Sequence, residues 1–227
     1  MSEFDANADT YADEVQAAIS FSGVEADLFT RRKAALLLDA TARLLGDPAG
    51  LRFLDVGCGV GSTDAHLVDH VGSLEGVDLA AAAIEVARRE NPGVSYEAYD
   101  GSALPQADAS VDVAFAICVA HHVPLAERAH FAAELHRVVR PGGLAFLFEH
   151  NPWNPLTRVV VNRCEFDEDA VLLTRRTSHR LLESAGFRQA EARFVIFLPV
   201  EQPLVTRLER AIGWLPLGAQ HYVAARR

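Results

Sequence analysis

Short apolar runs alternate along most of the chain with longer segments of mixed polarity. The short runs predict buried strands, and the longer Ala- and Leu-rich segments predict helices. The first 46 residues have helical character and end at Gly46-Asp47-Pro48. The pattern then predicts strands at 51–57, 74–79, 94–99, 111–118 and 144–149, with helices at 62–71, 80–90 and 125–138. This alternation indicates a parallel sheet with right-handed crossovers.

The pattern changes after His150. The sequence Arg140-Pro141-Gly142-Gly143 predicts a turn before the fifth strand, and residues 151–176 contain closely spaced prolines and little clear period. The remaining segments predict a helix at 178–185, a strand at 190–198, a helix at 203–214 and a last strand at 218–225. The irregular insert after the fifth strand is where we expect specificity for a ligand to lie.

A glycine-rich turn follows the first predicted strand. The run ends in Asp55, and three glycines follow at 57, 59 and 61 before a segment that can begin a helix. Such a turn lets a ligand approach backbone that a side chain would block. Asp78 ends the next strand, 19 residues beyond Gly59, where a carboxylate can take the two hydroxyls of a ribose. The pattern therefore predicts a nucleoside-containing cofactor.

The glycine spacing leaves two classes of cofactor open. A dinucleotide-binding turn needs a third glycine at the position that Ser62 occupies, and this departure argues against a nicotinamide-dependent oxidoreductase. The run Leu54-Asp55-Val56-Gly57-Cys58-Gly59-Val60-Gly61 instead resembles the first motif of the class I S-adenosylmethionine-dependent methyltransferases. In that family the acid and the glycines face the methionine part of the cofactor.

Further segments resemble the same family in the same order. They are Gly76-Val77-Asp78-Leu79, Tyr99-Asp100-Gly101-Ser102-Ala103-Leu104-Pro105, the fourth strand through Ala120-His121-His122-Val123, and Arg137 to Leu144. By this resemblance Asp78 holds the ribose and Asp100 accepts from the adenine amine. The cofactor-binding residues that it implies are Asp55, Gly57, Cys58, Gly59, Gly61, Asp78, Leu79, Asp100, Gly101, Ser102 and Cys118.

The resemblance covers about residues 45 to 195 and also implies the fold. That fold is a Rossmann-like three-layer α/β/α sandwich, whose seven-stranded, mostly parallel sheet has the order 3-2-1-4-5-7-6 with the seventh strand antiparallel. Residues 1–46 would form a helical lid over the cofactor, and residues 47–227 the methyltransferase domain. The cofactor is then S-adenosylmethionine and its product S-adenosylhomocysteine.

A narrower likeness follows the fifth strand. The segment Phe148-Glu149-His150-Asn151-Pro152-Trp153-Asn154-Pro155-Leu156-Thr157-Arg158, together with Cys164 to Ala170, is similar to a bacterial subgroup that accompanies glycan or secondary-metabolite pathways. This resemblance implies a small-molecule acceptor. We expect an oxygen atom of the acceptor to be methylated, with nitrogen and carbon as alternatives. The residues that we predict to contact the acceptor are Tyr11, Phe21, Glu149, Asn154 and Arg158.

Three histidines are candidates for a general base. His121 and His122 follow the fourth strand, and His150 ends the fifth, so all three should face the ligand crevice at the carboxyl edge of the sheet. A histidine there can take a proton near neutral pH, but it can equally pack beside the cofactor without doing chemistry. The same ambiguity holds for Glu149, which could contact a ligand or form a buried ion pair.

Composition narrows the partners. The chain has 21 basic and 31 acidic residues, a net charge of −10, which disfavours binding to nucleic acid. No apolar run approaches the ~20 residues that span a bilayer, so no membrane is expected. Three widely spaced cysteines predict free thiols in a reducing cytoplasm. No metal is expected, because no group of His, Cys and carboxylate residues has a ligand spacing, and the neighbouring acids Asp167, Glu168 and Asp169 are expected to meet water. A monomer or homodimer is expected. A non-catalytic cofactor-binding protein stays open as an alternative.

Overall fold

The computed structural model describes residues 26–164, 167, 169–200 and 202–227. Its strands are β1 (Arg52–Val56), β2 (Ser73–Asp78), β3 (Ser95–Ala98), β4 (Val111–Ile117), β5 (Val139–His150), β6 (Arg188–Val195) and β7 (Gln220–Arg226). Its helices are α1 (Ala26–Leu44), α2 (Ala81–Glu90), α3 (Arg128–Val138), α4 (Pro155–Val161), α5 (Arg175–Ser184) and α6 (Pro203–Ile212). None of the described helices is long and apolar enough to cross a membrane.

The strands form one seven-stranded sheet in the order β3-β2-β1-β4-β5-β7-β6. The pairs among β1 to β5 are parallel, whereas β7 is antiparallel to both β5 and β6. The sheet therefore confirms the predicted strand order and the antiparallel seventh strand. Because β1, β4 and β5 lie side by side, the loops that follow them meet at one edge.

Neighbouring residues of the central strands bury their side chains on opposite faces of the sheet. Phe53 of β1 packs in one core cluster with residues of α1 and α2, among them Leu37 and Ile84. Leu54, the next residue, packs in a second cluster with α3 and α5, including Leu135 and Leu182. Two buried clusters with the sheet between them give the predicted three layers.

The predicted helix at 62–71 is wrong. Two short 3₁₀ turns, Asp64–His66 and Val68–His70, occupy this segment, with backbone bonds from His66 N to Thr63 O and from His70 N to Leu67 O. The Asp64 side chain points inward and accepts a hydrogen bond of 2.8 Å from the Tyr96 hydroxyl. This buried contact holds the first of the two turns against β3.

The turn predicted at 140–143 lies inside a strand. β5 begins at Val139, and its register with β4 jumps from the pair Val111–Val139 to the pair Val113–Leu144. Gly142, with φ of +81°, allows the extra residues to bulge out. Asp112, opposite the bulge, accepts from the Arg52 backbone N at 2.8 Å and from the Arg140 guanidinium.

One helix in the insert was not predicted. α4 begins after Asn154, whose side chain accepts from the backbone N–H groups of Leu156 and Thr157, and Pro155 occupies its first turn. An asparagine cap before a proline is a helix-start signal, but the short apolar run that follows gives too little period to identify a seven-residue helix.

Candidate functional site

The candidate site lies along the carboxyl edge of the parallel strands. The loops after β1, β2, β4 and β5 all end at this edge, which is where ligands bind in open α/β sheets. Most of the residues predicted to bind the cofactor or the acceptor lie in these loops, in the loop after β3, or near the carboxyl ends of the strands themselves. Tyr11 and Phe21 lie outside the described residues, as does the part of the predicted lid before residue 26, so these stay predictions.

The glycine turn after β1 leaves its outer side open. Gly59 has φ of +53°, and a Cβ added to it would meet no atom within 4 Å. Gly61 has φ of +75°, and there a Cβ would come within 2.5 Å of the Tyr96 hydroxyl and 2.6 Å of Asn91 Nδ2. The turn is therefore held tightly from behind, while its outer side presents bare backbone to a ligand.

The side chain of Asp78, the last residue of β2, lies against this turn. One carboxylate oxygen accepts from the backbone N of Gly59 at 2.8 Å, and the other accepts from the backbone N of Ala80 at 2.8 Å. The carboxylate is thus fixed between the glycine turn and the start of α2. Each oxygen can accept a further hydrogen bond, which is what two ribose hydroxyls require.

Leu79 and the turn after β3 form a small platform beside Asp78. Asp100 accepts at 2.9 Å from the Ser102 backbone N and at 2.5 Å from the Ser102 hydroxyl, and these two bonds lower the pKa of Asp100. Leu79 is 55% exposed, and a Cβ on Gly101 would lie 3.2 Å from its side chain. An exposed leucine beside an acceptor oxygen suits a flat, amine-bearing ring such as adenine.

Behind the glycine turn lies a buried pair of carboxyl groups, Asp55 and Asp64. Burial, followed by the charges of Asp64 and Asp78, raises the pKa of Asp55 well above its usual range. Burial also raises the pKa of Asp64 to about 7, although the Tyr96 hydroxyl bond opposes it. Each group has one oxygen with no hydrogen-bond partner. The pair therefore holds a proton at mildly acidic pH. Asp64 has no counterpart in the motifs and was not predicted.

The Asp64→Asn variant should be more stable than the wild type at pH 8 but not at about pH 4. Folding raises the pKa of Asp64 to about 7, so the folded chain holds a proton that the unfolded chain releases at lower pH. The buried Asp64 carboxylate therefore begins to destabilise the fold as the pH rises above the unfolded pKa. The destabilisation reaches its full size above about pH 7. We expect a gain on the order of 1–4 kcal/mol at the higher pH. Urea unfolding at both pH values measures it. Asp69→Asn, at an exposed acid nearby, is the control, and an equal gain at both pH values would contradict the expectation.

Lys33 of α1 reaches the same region. Its positive charge opposes the rise in the pKa of Asp55, and it also acts on Cys118 and His150 at the ends of β4 and β5. Lys33 is half-buried. No motif marks it, because helix α1 lies outside the sequence segments that carry the resemblance.

The two cysteines of the site are not activated. Burial raises the pKa of both the Cys58 and the Cys118 thiol. Cys118 has φ of +59°, a conformation that is uncommon for a residue with a side chain, and its backbone N donates to Phe148 O at 2.8 Å. Such strain at the end of a central strand is typical of a functional site.

A cluster of histidines and carboxylates lies beyond Cys118. His121 is buried, with Nδ1 2.6 Å from Glu149 Oε2 and Nε2 3.2 Å from Asp167 Oδ1. Asp167 Oδ1 is also 3.4 Å from His122 Nε2, and the His121 and His150 ring centroids are 5.3 Å apart. The structure therefore brings the three predicted histidines together and adds Asp167.

The three histidines differ in protonation. Burial alone would lower the pKa of His121, but the carboxylates of Glu149 and Asp167 raise this pKa to about 10. Burial and the charge of His121 lower the pKa values of His122 and His150 to about 4. The raised pKa favours the protonated form of His121 in this arrangement, which argues against His121 as a general base. A catalytic role for any of the three histidines stays a prediction. His122 and His150 are neutral and able to accept hydrogen bonds.

Two residues predicted to contact the acceptor have structural partners instead. Glu149 is fully buried, and its second oxygen accepts from Ala120 N at 2.9 Å, so it reaches a ligand only through His121. Asn154 uses its oxygen to cap α4 and its Nδ2 to donate to Leu217 O at 2.8 Å. Glu149 therefore has no exposed oxygen for a direct contact with an acceptor, whereas Asn154 is only half-buried and its contact stays a prediction. Arg158 is exposed on α4, and its role stays a prediction.

The loop after β4 is tied to the segment that carries Asp167. The Arg128 guanidinium donates to Val123 O at 3.0 Å and to Val171 O at 2.8 Å, and Val171 N donates to His121 O at 3.1 Å. These bonds place Asp167 opposite His121. From sequence Asp167 looked like one of several neighbouring acids that meet water, since nothing local shows this long-range pairing.

Comparison with known proteins gives a methyltransferase match over the central part of the chain. Residues 54–147 match the family described as a methyltransferase domain. The chain is 35% identical over 112 residues to phthiotriol/phenolphthiotriol dimycocerosates methyltransferase 1 of Mycobacterium ulcerans (strain Agy99). This alignment covers 48% of this chain and 41% of that protein. It is 30% identical over 165 residues to an O-methyltransferase of Pyrenophora dematioidea, covering 69% of this chain and 61% of that protein.

The solved structures agree. An S-adenosylmethionine-dependent methyltransferase from Mesorhizobium loti superimposes with a TM-score of 0.60 at 25% identity, over 83% of this chain and 96% of that one. The chain spans less than two thirds of the length of the two curated relatives described above. These matches support a class I methyltransferase domain and confirm S-adenosylmethionine as its cofactor. They do not address the narrower likeness of residues 148–170.

Proposed function

We propose that the protein transfers the methyl group of S-adenosylmethionine to an oxygen atom of a small-molecule acceptor. One observation carries this proposal: the open glycine turn, with Asp78 against it, shares an edge of the sheet with the neutral His122 and His150. The cofactor and a polar acceptor pocket would then lie side by side, as methyl transfer requires. The identity of the acceptor as a glycan precursor or secondary metabolite belongs to the same proposal.

The cofactor side follows from the turn. We assign the ribose to Asp78, the adenine to Leu79, Asp100, Gly101 and Ser102, and the methionine part to the backbone of Gly57 to Gly61 with Asp55 and Cys118 nearby. The carbon–sulfur bond to the methyl group breaks as the new carbon–oxygen bond forms, and S-adenosylhomocysteine leaves. Because the cofactor already carries its leaving group, the protein has chiefly to align the acceptor with the methyl carbon.

The acceptor side is formed by the loop after β4 and the end of β5. Either His122 or His150 can accept a hydrogen bond from an acceptor hydroxyl, because both are neutral at physiological pH and half-buried. Hydroxyl as the acceptor group is consistent with the Pyrenophora dematioidea relative, which is named an O-methyltransferase. Arg158, exposed on the neighbouring α4, is suited to an anionic group on the acceptor.

The N-terminal segment would complete the site. The predicted lid covers residues 1–46, but α1 packs Leu37 and Ala40 into the core against the sheet. We therefore propose that only the segment before α1 acts as a lid, with Tyr11 and Phe21 facing the cofactor or acceptor, so that water is excluded during transfer. The net charge of −10 favours a small acceptor over nucleic acid. We propose that the protein works as a monomer or homodimer.

Turnover with a panel of acceptors tests the function. Purified protein with S-adenosylmethionine should form S-adenosylhomocysteine in the presence of a hydroxyl-bearing acceptor, at a rate above that without acceptor, with the methylated oxygen identified by mass spectrometry. Calorimetry should show binding of S-adenosylmethionine and none of NAD. Cofactor binding without turnover on any acceptor would favour the non-catalytic alternative, and methylation at nitrogen or carbon would correct the assigned atom.

A further inference from the structure

We propose that His121, His150 and Asp167 bind one divalent transition-metal ion at the acceptor end of the site. One nitrogen of each histidine and one carboxylate oxygen of Asp167 lie within 4.8 Å of one another. Imidazole nitrogens with one carboxylate form a ligand set that Zn²⁺ and its neighbours in the first transition series use. The sequence-based prediction of no metal rested on ligand spacing along the chain, which does not show that these three residues meet.

The distances suit a cation with little rearrangement. Ligands about 2.1 Å from a tetrahedral ion lie about 3.4 Å from one another. His121 Nε2 and Asp167 Oδ1 are already 3.2 Å apart, and the ion would displace the proton that Nε2 shares with Asp167 in the metal-free protein. The other two ligand pairs both include His150, and their atoms are at most 4.8 Å apart. They would therefore have to approach by about 1.4 Å at most to reach the separation of about 3.4 Å. A side-chain torsion at His150, which is at the end of its strand, can supply such a shift.

Glu149 orients the first ligand. A carboxylate only accepts hydrogen bonds, so the 2.6 Å contact of Glu149 Oε2 requires His121 Nδ1 to carry a proton and turns Nε2 towards Asp167. The Glu149 side chain is itself held by Ala120 N at 2.9 Å and is fully buried. A buried carboxylate on the far nitrogen of a histidine is the usual support of a metal-bound imidazole.

Asp167 is held in place by backbone contacts. The backbone N of Asp167 donates to Cys164 O at 3.1 Å, and its backbone O accepts from Ala170 N at 3.0 Å. The next residue, Val171, is bonded through its backbone N to His121 O. The carboxylate is largely screened from solvent, with a side-chain exposure of 10%. These contacts fix the third ligand opposite the two histidines.

Three protein ligands leave at least one position of the ion open, and it would face the crevice. If the proposed function holds, this position would take an oxygen of the acceptor and orient it towards the methyl group, and His122, which is not a ligand, would be the histidine that accepts from the acceptor hydroxyl. This second role rests on the proposed function. Binding of the ion itself does not, and it is measured without cofactor or acceptor.

Metal titration of the full chain tests the site. Protein freed of metal by a chelator and then dialysed should bind one Zn²⁺ per chain in calorimetry, and Co²⁺ should give the visible absorption bands of a nitrogen- and oxygen-ligated ion. Mg²⁺ should bind far more weakly, because it prefers oxygen ligands. Failure of Zn²⁺ and Co²⁺ to bind would overturn the proposal, whatever the outcome of the turnover test.

Three variants separate the site from adventitious binding. His150→Ala and Asp167→Asn should each weaken Zn²⁺ affinity by at least the 10- to 100-fold that loss of an outer partner costs. His70→Ala, at an exposed histidine just before β2, should leave Zn²⁺ affinity unchanged. Circular dichroism checks that each variant is folded. Equal losses in the His70 and His150 variants, or none in the His150 and Asp167 variants, would contradict the site.

Discussion

We expect the Glu149→Ala variant to lose about 3–5 kcal/mol of its free energy of unfolding at neutral pH. Glu149 is fully buried beside a protonated His121, so its removal leaves an empty space at Nδ1 and only Asp167, 3.2 Å from Nε2, as a counter-charge for the imidazolium. The attraction is mutual, because the His121 charge lowers the pKa of Glu149 against the effect of burial. Urea unfolding followed by circular dichroism measures the change.

Two comparisons make that result specific. Glu97→Ala, at an exposed position of β3, should change stability by no more than about 0.5 kcal/mol. The Glu149→Gln variant keeps the shape and one acceptor oxygen and should fall between the two alanine variants. If Glu149→Ala were as stable as Glu97→Ala, the ion pair with His121 would not contribute to the folded state.

The Asp78→Ala variant should bind S-adenosylmethionine roughly 5- to 150-fold more weakly than the wild type. This corresponds to the loss of about 1–3 kcal/mol from hydrogen bonds to a charged acceptor. The carboxylate is fixed by Gly59 N and Ala80 N, so its removal deprives the ribose of an acceptor and also frees the glycine turn. Isothermal titration measures the loss of affinity for S-adenosylmethionine and for S-adenosylhomocysteine.

A second substitution distinguishes these two effects. Asp78→Asn keeps one oxygen that can accept from Gly59 N, so it should preserve the turn and lose less affinity than alanine does. Asp69→Ala, at an exposed acid in the second 3₁₀ turn, should bind the cofactor as the wild type does. Wild-type affinity in Asp78→Ala would remove this residue from the cofactor site.

The cofactor half of the site could be predicted from sequence because its contacts are local. Gly57, Gly59 and Gly61 need their unusual backbone angles whatever surrounds them, and Asp78 follows the next strand in the chain. Strand order likewise followed from the resemblance. The segment at 62–71 was less predictable, because the burial of Asp64 in it depends on a hydrogen bond to Tyr96, 32 residues away.

The acceptor half depends on contacts that no local pattern contains. His121 meets Glu149, 28 residues away, and Asp167, 46 residues away. Lys33 reaches the same crevice from α1, before the sheet begins. The sequence indicated that His121, His122 and His150 face one edge of the sheet. It did not indicate that their protonation states differ, because this difference arises from the position of His121 between the carboxylates of Glu149 and Asp167.

The position of β7 between β5 and β6 has a consequence for folding during synthesis. β6 leaves the ribosome before β7, yet β6 joins the sheet only through β7, with which it pairs from Arg188–Arg226 to Val195–Gln220. The parallel strands β1 to β5 can assemble first, and until β7 has emerged the outer edge of β5 stays unpaired. An open edge of this kind is prone to pair with other chains. Slow translation between β5 and β7 would therefore prolong the interval in which the nascent chain is vulnerable to aggregation.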